Sequence, residues 1–437
     1  MANDSPPHIV ILGGGFAGIG AARELARLLG KEEDGRITLV DQHPYQIFTP
    51  MLTEVVGGQI EAGHAVSAIH RLSPRINFMQ GRVDRIAVEG KRVTVTTGDL
   101  RHGVLGAQRS LEADHLILAL GSVTDFHQAQ GVAAHALPMK TLGDAAAIRN
   151  RALALTATAN AEPDEARRRA MLTFVVGGGG FSGVETMAAL NDLARDVARR
   201  YPALRDTPPR TVLIHPGERL LPELGGKLAR YAQQQLERRG VEVLLNTKIT
   251  GAGEGYVELE GDRRIDTRLL VWAAGEKPSP VIETVDCPRG KHGGIKVEGT
   301  LEVAGRPGVW ALGDCAEIPR PGGKGSYGPT AQNAEREGTL AARNIVARLR
   351  GEQPKPFVYT PIGELAIVGK RTGVARLYGH NFSGMPAWVM WRMIYLAKVP
   401  LPGKRVRIAL DWLLDLLFGR ETVALPIDRS APAPDEA

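Results

Sequence analysis

"FVVGGGGFSGVE", residues 174–185, restates a pattern already present in "IVILGGGFAGIGAAREL", residues 9–25. Each stretch is an apolar β-branched run, a glycine cluster and a helix-forming segment, so each predicts strand, tight turn and helix. Gly13, Gly15 and Gly18 fit G-x-G-x-x-G in the first copy; Gly178, Gly180 and Gly183 fit it in the second. Glycines let the backbone approach a pyrophosphate, and the helix start offers free N–H groups with a partial positive charge. One such cluster is also what a plain tight turn looks like. Two, each between strand and helix, point to two dinucleotide sites. Phe16 and Ala17 in the first turn and Phe181 in the second are further candidate contacts.

The residues beyond each turn differ. "GRITLVDQHPYQIF" predicts a second strand ending at Asp41, 23 positions after Gly18, where a carboxylate accepts hydrogen bonds from an adenosine ribose. Gln42 next to it and Val83 further on are candidates for the same site. In the second copy the matching strand, "RTVLIHPGERLLPEL", ends at His215 where an acid is expected. Arg219 nearby either meets a 2′-phosphate or is an ordinary surface arginine.

At 437 residues the chain is long enough for two or three domains with substantial cores. Its apolar share of 43% and charged share of 23% are those of a globular protein. A net charge of +6 suits anionic cofactors or an anionic membrane surface without singling out either. No lysine and arginine block with interleaved aromatics points to nucleic acid. "MANDSPPHIV" lacks a basic region followed by an apolar one, so the protein is expected to stay in the cytoplasm. Cys287 and Cys315 form no C-x-x-C, which disfavours a redox dithiol and a thiolate zinc site. The histidines show no metal-ligand spacing, and no metal is expected.

The expected fold class is α/β, with two Rossmann-like dinucleotide-binding domains, the second inserted in the first. The first domain is expected over 8–142 and 285–355, the second over 143–284. Within the first, "EADHLILALGSVTDF" predicts a buried strand followed by Gly121, and "GVWALGDCAEI" another with Asp314 just beyond it. An aspartate there either binds cofactor hydroxyls or caps a helix. "RLLVWAAGEKPSP" closes the second unit on Gly275. Residues 356–420 are expected to form a C-terminal strand and amphipathic-helix region, and 421–437 a disordered tail. In "RIALDWLLDLLFGR", Arg407, Asp411 and Asp415 fall four apart on one narrow helical stripe, with Leu, Trp and Phe over the rest. "AWVMWRMIYLAK" has a similarly broad apolar face. Such helices either pack in a core or lie in a bilayer interface, and the residues leave both open.

"HPYQIFTPMLTEVVGGQI", "VVGGGGFSGVE", "VWAAG", "GDCAE", "PTAQNAEREG" and "GELAIVGKRTGVARLYGHNFSGMPAWVMWRMIYL" occur in that order. Together they resemble the type II NADH:quinone oxidoreductases, single-chain flavoenzymes of the membrane surface. The resemblance runs from residue 8 to about 420. It implies non-covalent FAD in the first unit and NADH, with NADPH as an alternative, in the second. Hydride would pass from the nicotinamide to the flavin N5, and the reduced flavin would reduce a membrane quinone.

By position, the resemblance places Glu185 near the nicotinamide and flavin rings, Lys370 near that glutamate, and Gln332 with Ala331 at the flavin and quinone junction. Thr49, with Pro50, resembles positions that flank the isoalloxazine in that family. It also favours a membrane role for the C-terminal helices, implies a peripheral protein on the cytoplasmic side of the membrane, and leaves a homodimer open. Three alternatives share parts of this reading: a soluble NAD(P)H:acceptor reductase, a sulfide:quinone oxidoreductase-like enzyme, which the cysteine spacing disfavours, and a non-catalytic flavin redox sensor.

Overall fold

The computed structural model describes residues 6–31, 34–99, 103–323 and 325–424. In chain order it runs β1 (His8–Leu12), α1 (Phe16–Leu28), β2 (Arg36–Asp41), α2 (Leu52–Val56), β3 (Ile76–Ala87), β4 (Arg92–Asp99), β5 (Val104–Glu112) and β6 (His115–Leu118). The second unit follows with β7 (Ala136–Pro138), α3 (Leu142–Ala159), β8 (Thr173–Gly177), α4 (Phe181–Ala198), β9 (Arg210–Ile214), β10 (Val241–Leu244) and β11 (Leu269–Trp272). The chain then returns through β12 (Val309–Ala311) and α5 (Ala331–Leu349). It ends with β13 (Gly363–Ile367), β14 (Gly373–Leu377), β15 (His380–Gly384), α6 (Met385–Lys398) and α7 (Pro402–Phe418).

The first sheet has the order β12-β6-β1-β2-β3-β4-β5. Its first five strands are parallel, and β4 and β5 extend it as an antiparallel hairpin. Ile9, Val10, Ile11 and Leu12 are completely buried, as expected for a central parallel strand covered on both faces. Helix α5 lies along α1, and Gly338 allows the close approach: a Cβ there would stand 2.1 Å from the Ala17 carbonyl oxygen.

The second sheet, β7-β11-β8-β9-β10, is parallel throughout. Its outermost strand corrects the boundary expected at 142/143. Ala136–Pro138 pairs with β11 and therefore belongs to the inserted unit. A three-residue strand carries too little alternation to be read from sequence. The chain crosses between units through an antiparallel pair, Ser122–Thr124 with Glu276–Pro278. The Thr141 hydroxyl accepts from the Asp144 N–H while Asp144 accepts from the Thr141 N–H, a capping box that fixes the start of α3 directly after the crossing.

Strands β13–β15 form a small antiparallel sheet on which α6 packs. Helix α7 reverses the orientation usual for an amphipathic surface helix. Its buried residues are Ile408, Trp412 and Asp415, whereas Val406, Leu410, Leu413, Leu414, Leu417 and Phe418 point outward, with Phe418 79% exposed. The stripe carrying Asp411 and Asp415 faces protein: Asp411 accepts from His64 Nδ1 at 2.5 Å and from the Glu61 N–H at 3.1 Å. No described helix is long and apolar enough to cross a membrane. Of the tail expected over 421–437, residues 421–424 are held against the protein. The Glu421 N–H donates to the Gly58 carbonyl, and Arg149 donates to the Glu421 and Val423 carbonyls. Residues 425–437 of that expectation lie outside the described residues.

Candidate functional site

The two glycine turns are built alike. Gly13 and Gly178 take φ of +106° and +121°, a region that favours glycine, and a Cβ on them would strike the backbone of Ala119 and Ala273, each just past the end of a neighbouring strand. Gly18 and Gly183 bring helix against turn so closely that a Cβ would stand 1.9 Å from the Gly13 or Gly178 carbonyl oxygen. Gly15 and Gly180, the N-caps of α1 and α4, have nothing within 4 Å of a Cβ and no side-chain cap. Free N–H groups at an open helix start are what a pyrophosphate requires, so both turns fit a dinucleotide.

Asp41 stands at the end of β2 and accepts from the Gly14 N–H at 2.5 Å and the His43 N–H at 2.7 Å. Gln42 follows it, exposed, its carbonyl accepting from the Gln80 side chain. Val83 lies at a bulge in β3 opposite Val95. In the second unit His215 takes the place of Asp41, with the Gly179 N–H donating to its Nδ1 at 3.2 Å. Burial lowers the His215 pKa and favours the neutral ring. Gly275, at φ +109°, closes against His127: a Cβ there would lie 2.2 Å from the imidazole Nε2.

Around Asp314 lies a charged knot whose other members, Ser122, Lys140 and Glu276, carry no motif in the sequence. The Lys140 ammonium reaches Ser122 Oγ at 2.8 Å, Glu276 at 2.8 Å and Asp314 at 3.7 Å, and the Ser122 hydroxyl lies 2.7 Å from both carboxylates. This knot ties both crossing strands to Asp314. A cavity of about 610 Å³ opens beside it, walled by Ser122, Glu276, Gly313, Asp314 and Thr330. Gly121, at φ +66°, has nothing within 4 Å of a Cβ and accepts from the Ser279 N–H. Ala331 opens α5 under a Thr330 cap. Burial pushes the carboxyl of Glu337, which accepts from the Gly313 N–H, up to about 7.

The third group gathers around Glu185. This carboxylate is 8% exposed, and its Oε1 accepts from the Ile367 N–H at 2.9 Å and from Trp391 Nε1 at 3.0 Å. Burial, with a further push from Glu54, raises its pKa to about 8. Phe48 packs at 5.7 Å from Phe16 and 6.1 Å from Tyr395, and the turn of Thr49–Met51 follows it directly.

Lys370 does not join Glu185. Its side chain is exposed and its N–H is held by Asp192, two turns along α4, roughly 10 Å away. The hairpin brings Ile367 to the glutamate, and three further residues carry the lysine past it. Gln332 is engaged by its own chain. Its Oε1 accepts from the Tyr359 hydroxyl and the Ile362 N–H, and its Nε2 lies 3.5 Å from the Gly363 carbonyl.

Cys315 is completely buried, and its thiol is pushed up to about 11 by that burial. Both cysteines are free thiols. This chemistry gives no support to a reactive thiolate pair.

Comparison with known proteins identifies the family. Residues 7–338 match the Pyridine nucleotide-disulphide oxidoreductase family, and residues 362–421 match the NDH2 C-terminal domain. The type II NADH:quinone oxidoreductase NdhA of Mycobacterium tuberculosis is 31% identical over 419 residues, covering 92% of this chain and 85% of the relative. Demethylphylloquinone reductase NdbB of Synechocystis is 29% identical over 420 residues, 94% of this chain and 96% of that protein. The fold superposes on NDH2 of Plasmodium falciparum, solved with NADH, with a TM-score of 0.87 at 20% identity, covering 95% of this chain and 99% of that one. The chain belongs to the pyridine nucleotide-disulphide oxidoreductases and, within them, to the type II NADH:quinone oxidoreductases.

Proposed function

We propose that this protein is an FAD-dependent NADH:quinone oxidoreductase that works at a membrane surface without spanning it. The paired turns support the two-nucleotide half of this reading: each G-x-G-x-x-G contains an open, uncapped helix start, and of the two strand ends beyond them only the first, at Asp41, offers a carboxylate for a ribose. FAD, when bound, supplies the two-electron chemistry that links NADH oxidation to quinone reduction. Gly13, Gly15, Gly18 and Asp41 would hold its adenosine and pyrophosphate, with Asp314, Gly121 and Ala331 along the rest. Gly178, Gly180, Gly183, His215 and Gly275 would hold NADH. Lys140 fixes Asp314 and both crossing strands, which sets how the two units meet.

Inverted α7 carries the membrane half. An exposed face of Leu410, Leu413, Leu414, Leu417 and Phe418 is unfavourable in water. Beside it, Met385, Val389 and Met393 of α6 are also exposed. Lys398, Lys404, Arg405 and Arg407 lie near these residues, the combination that binds an anionic bilayer interface. A quinone with an isoprenoid tail stays in lipid, so its reductase needs such a face. The test is NADH oxidation by the purified yellow protein with a short-chain quinone and with a long-chain quinone in liposomes. Absence of turnover with both overturns the reading.

A further inference from the structure

The last described residues of the chain cross the seam between the two nucleotide-binding units. On the first unit's side, α2 and the two glycines after it, Gly57 and Gly58, pack against α3 and α4 of the second unit. Helix α7 is anchored to the first unit. Trp412 Nε1 donates to Glu54 of α2, which is 2% exposed and also accepts from Arg392 at 3.4 Å, and Asp411 accepts from His64. Beyond Phe418 the chain leaves the helix, and residues 420–423 lie across the seam as a strap.

Arg420 holds both units. Its side chain is 3% exposed; Nε meets the Asp196 carboxylate of α4 at 3.0 Å, and Nη1 donates to the Gly57 carbonyl at 3.1 Å. Glu421 repeats the pattern through its backbone. Its N–H donates to the Gly58 carbonyl at 3.2 Å, and its carbonyl accepts from Arg149 of α3 at 3.3 Å. The strap passes so close to Gly58 that a Cβ there would stand 2.5 Å from the Glu421 carbonyl oxygen.

The seam has cohesion without Arg420, because Leu52, Val55 and Val56 share one buried apolar cluster with Ile148, Val184 and Met187. Apolar burial is non-directional, however, and does not by itself fix an angle or a register. A guanidinium is a planar fork with donors in fixed directions, so two acceptors on two units hold those units in one relative position. Out of water, the loss of either partner leaves the charge uncompensated.

Both ends of this bridge lead toward the redox site. Gly57 closes α2, which continues directly from the turn of Thr49–Met51. Asp196 lies on the helix that starts at the Gly178–Gly183 turn and carries Glu185. We propose that Arg420 is a positioning residue for hydride transfer: it seats α4, the helix of the nicotinamide nucleotide, on the flavin-side turn. This rests on the assignment of flavin to the first unit and NADH to the second. Reacting atoms must stand about 3–3.5 Å apart, and a displacement of about 1 Å can cost about a hundredfold in rate. Each nucleotide is gripped within its own unit, so the seating of one unit on the other controls that distance. Electron delivery from an already reduced flavin to an acceptor needs no nicotinamide and should not depend on Arg420.

The test uses the full-length, flavin-loaded protein. Arg420→Gln keeps a planar hydrogen-bonding end and removes the charge and the fork. In this variant, flavin bleaching by saturating NADH, followed by stopped flow, should slow at least about tenfold. The Kd for NAD⁺ should change less than about twofold, and reoxidation of dithionite-reduced flavin by a short-chain quinone should keep its wild-type rate. Arg420→Lys restores a charge beside Asp196 without the fork and should recover part of the rate. Asp196→Asn should slow the same step, and added to R420Q should slow it little further, because both act through one contact. Hydrogen exchange should rise in R420Q over residues 57–60 and 419–424 together, while β1 and β8 stay protected.

A flavin-loaded R420Q protein with a wild-type rate of flavin reduction overturns the proposal, as does unchanged exchange at the seam. An equal fall in flavin reduction and reoxidation also overturns it, since general loosening of the fold would produce that result. If R420Q does not retain flavin, D196N carries the same comparison, and a wild-type rate of flavin reduction there overturns the proposal. A wild-type flavin that NADH does not bleach overturns the nucleotide assignment itself, and this role with it, whatever the exchange pattern.

Discussion

The Gly179 N–H donates to His215 Nδ1 at the site where, in the other unit, the Gly14 N–H donates to Asp41. The same backbone position therefore meets a neutral ring in one unit and a carboxylate in the other. Accepting at Nδ1 places the ring proton on Nε2, and burial lowers the pKa, so His215 brings no negative charge to repel a 2′-phosphate. Discrimination between NADH and NADPH should be weak, and His215→Glu should increase the preference for NADH. The ratio of kcat/KM values for the two nucleotides measures this. A strong NADH preference in wild type, unchanged by the substitution, removes His215 from nucleotide selection.

The two turns should fail separately. A methyl at Gly18 or Gly183 would stand 1.9 Å from a carbonyl oxygen of its own turn, so each substitution must open the turn it occupies. Gly18→Ala should yield protein with little flavin. Gly183→Ala should keep its flavin absorption and remain reducible by dithionite, while NADH binds at least about tenfold more weakly, a loss of about 1.4 kcal/mol. Flavin loss from the Gly183 variant alone would reverse the assignment of the two units.

Glu185 also makes stability depend on pH in a stated direction. Its carboxyl is raised from 4.5 to about 8 in the folded protein, so between those values the folded state binds more protons than the unfolded chain. Its contribution to stability is then complete below about pH 4.5 and is lost as pH rises through about 8. Glu185→Gln should flatten that decline. Tm measured across this window in wild type and variant reads the difference directly. Parallel curves would mean that Glu185 is already ionised in the fold. A wild-type rate of flavin reduction in the same variant would also remove it from the redox site.

Much of this architecture was legible because the repeated turn has backbone requirements that only glycine meets, and because each turn sits between recognisable strand and helix patterns. Asp41 and His215 could be located by counting. Lys370 could not be placed so simply, because a hairpin's reach depends on its register, and here three residues carry it past Glu185. Glu54 and Arg392 were overlooked although a signal existed. Each is a charge inside an apolar run, "MLTEVV" and "VMWRMIY", where burial forces a partner. That the partners are each other, and that α7 turns its acidic stripe inward, depends on long-range packing that helical periodicity does not contain.

The outward face of α7 yields the most direct test of the membrane reading. Leu413 and Leu417 are 50% and 65% exposed, so replacing both by Glu should change stability by only about 0.5 kcal/mol per site. On a membrane the same change replaces buried apolar area with negative charge facing anionic lipid, which opposes both components of interfacial binding. Leu413→Glu/Leu417→Glu protein should keep its flavin, its Tm and its NADH:ferricyanide activity, lose binding to anionic liposomes, and lose reduction of quinone embedded in them. Wild-type binding should weaken as salt rises, because Lys404, Arg405 and Arg407 contribute through screened attraction. A wild-type protein that ignores anionic liposomes at low salt would leave this face to a protein partner and favour a soluble reductase.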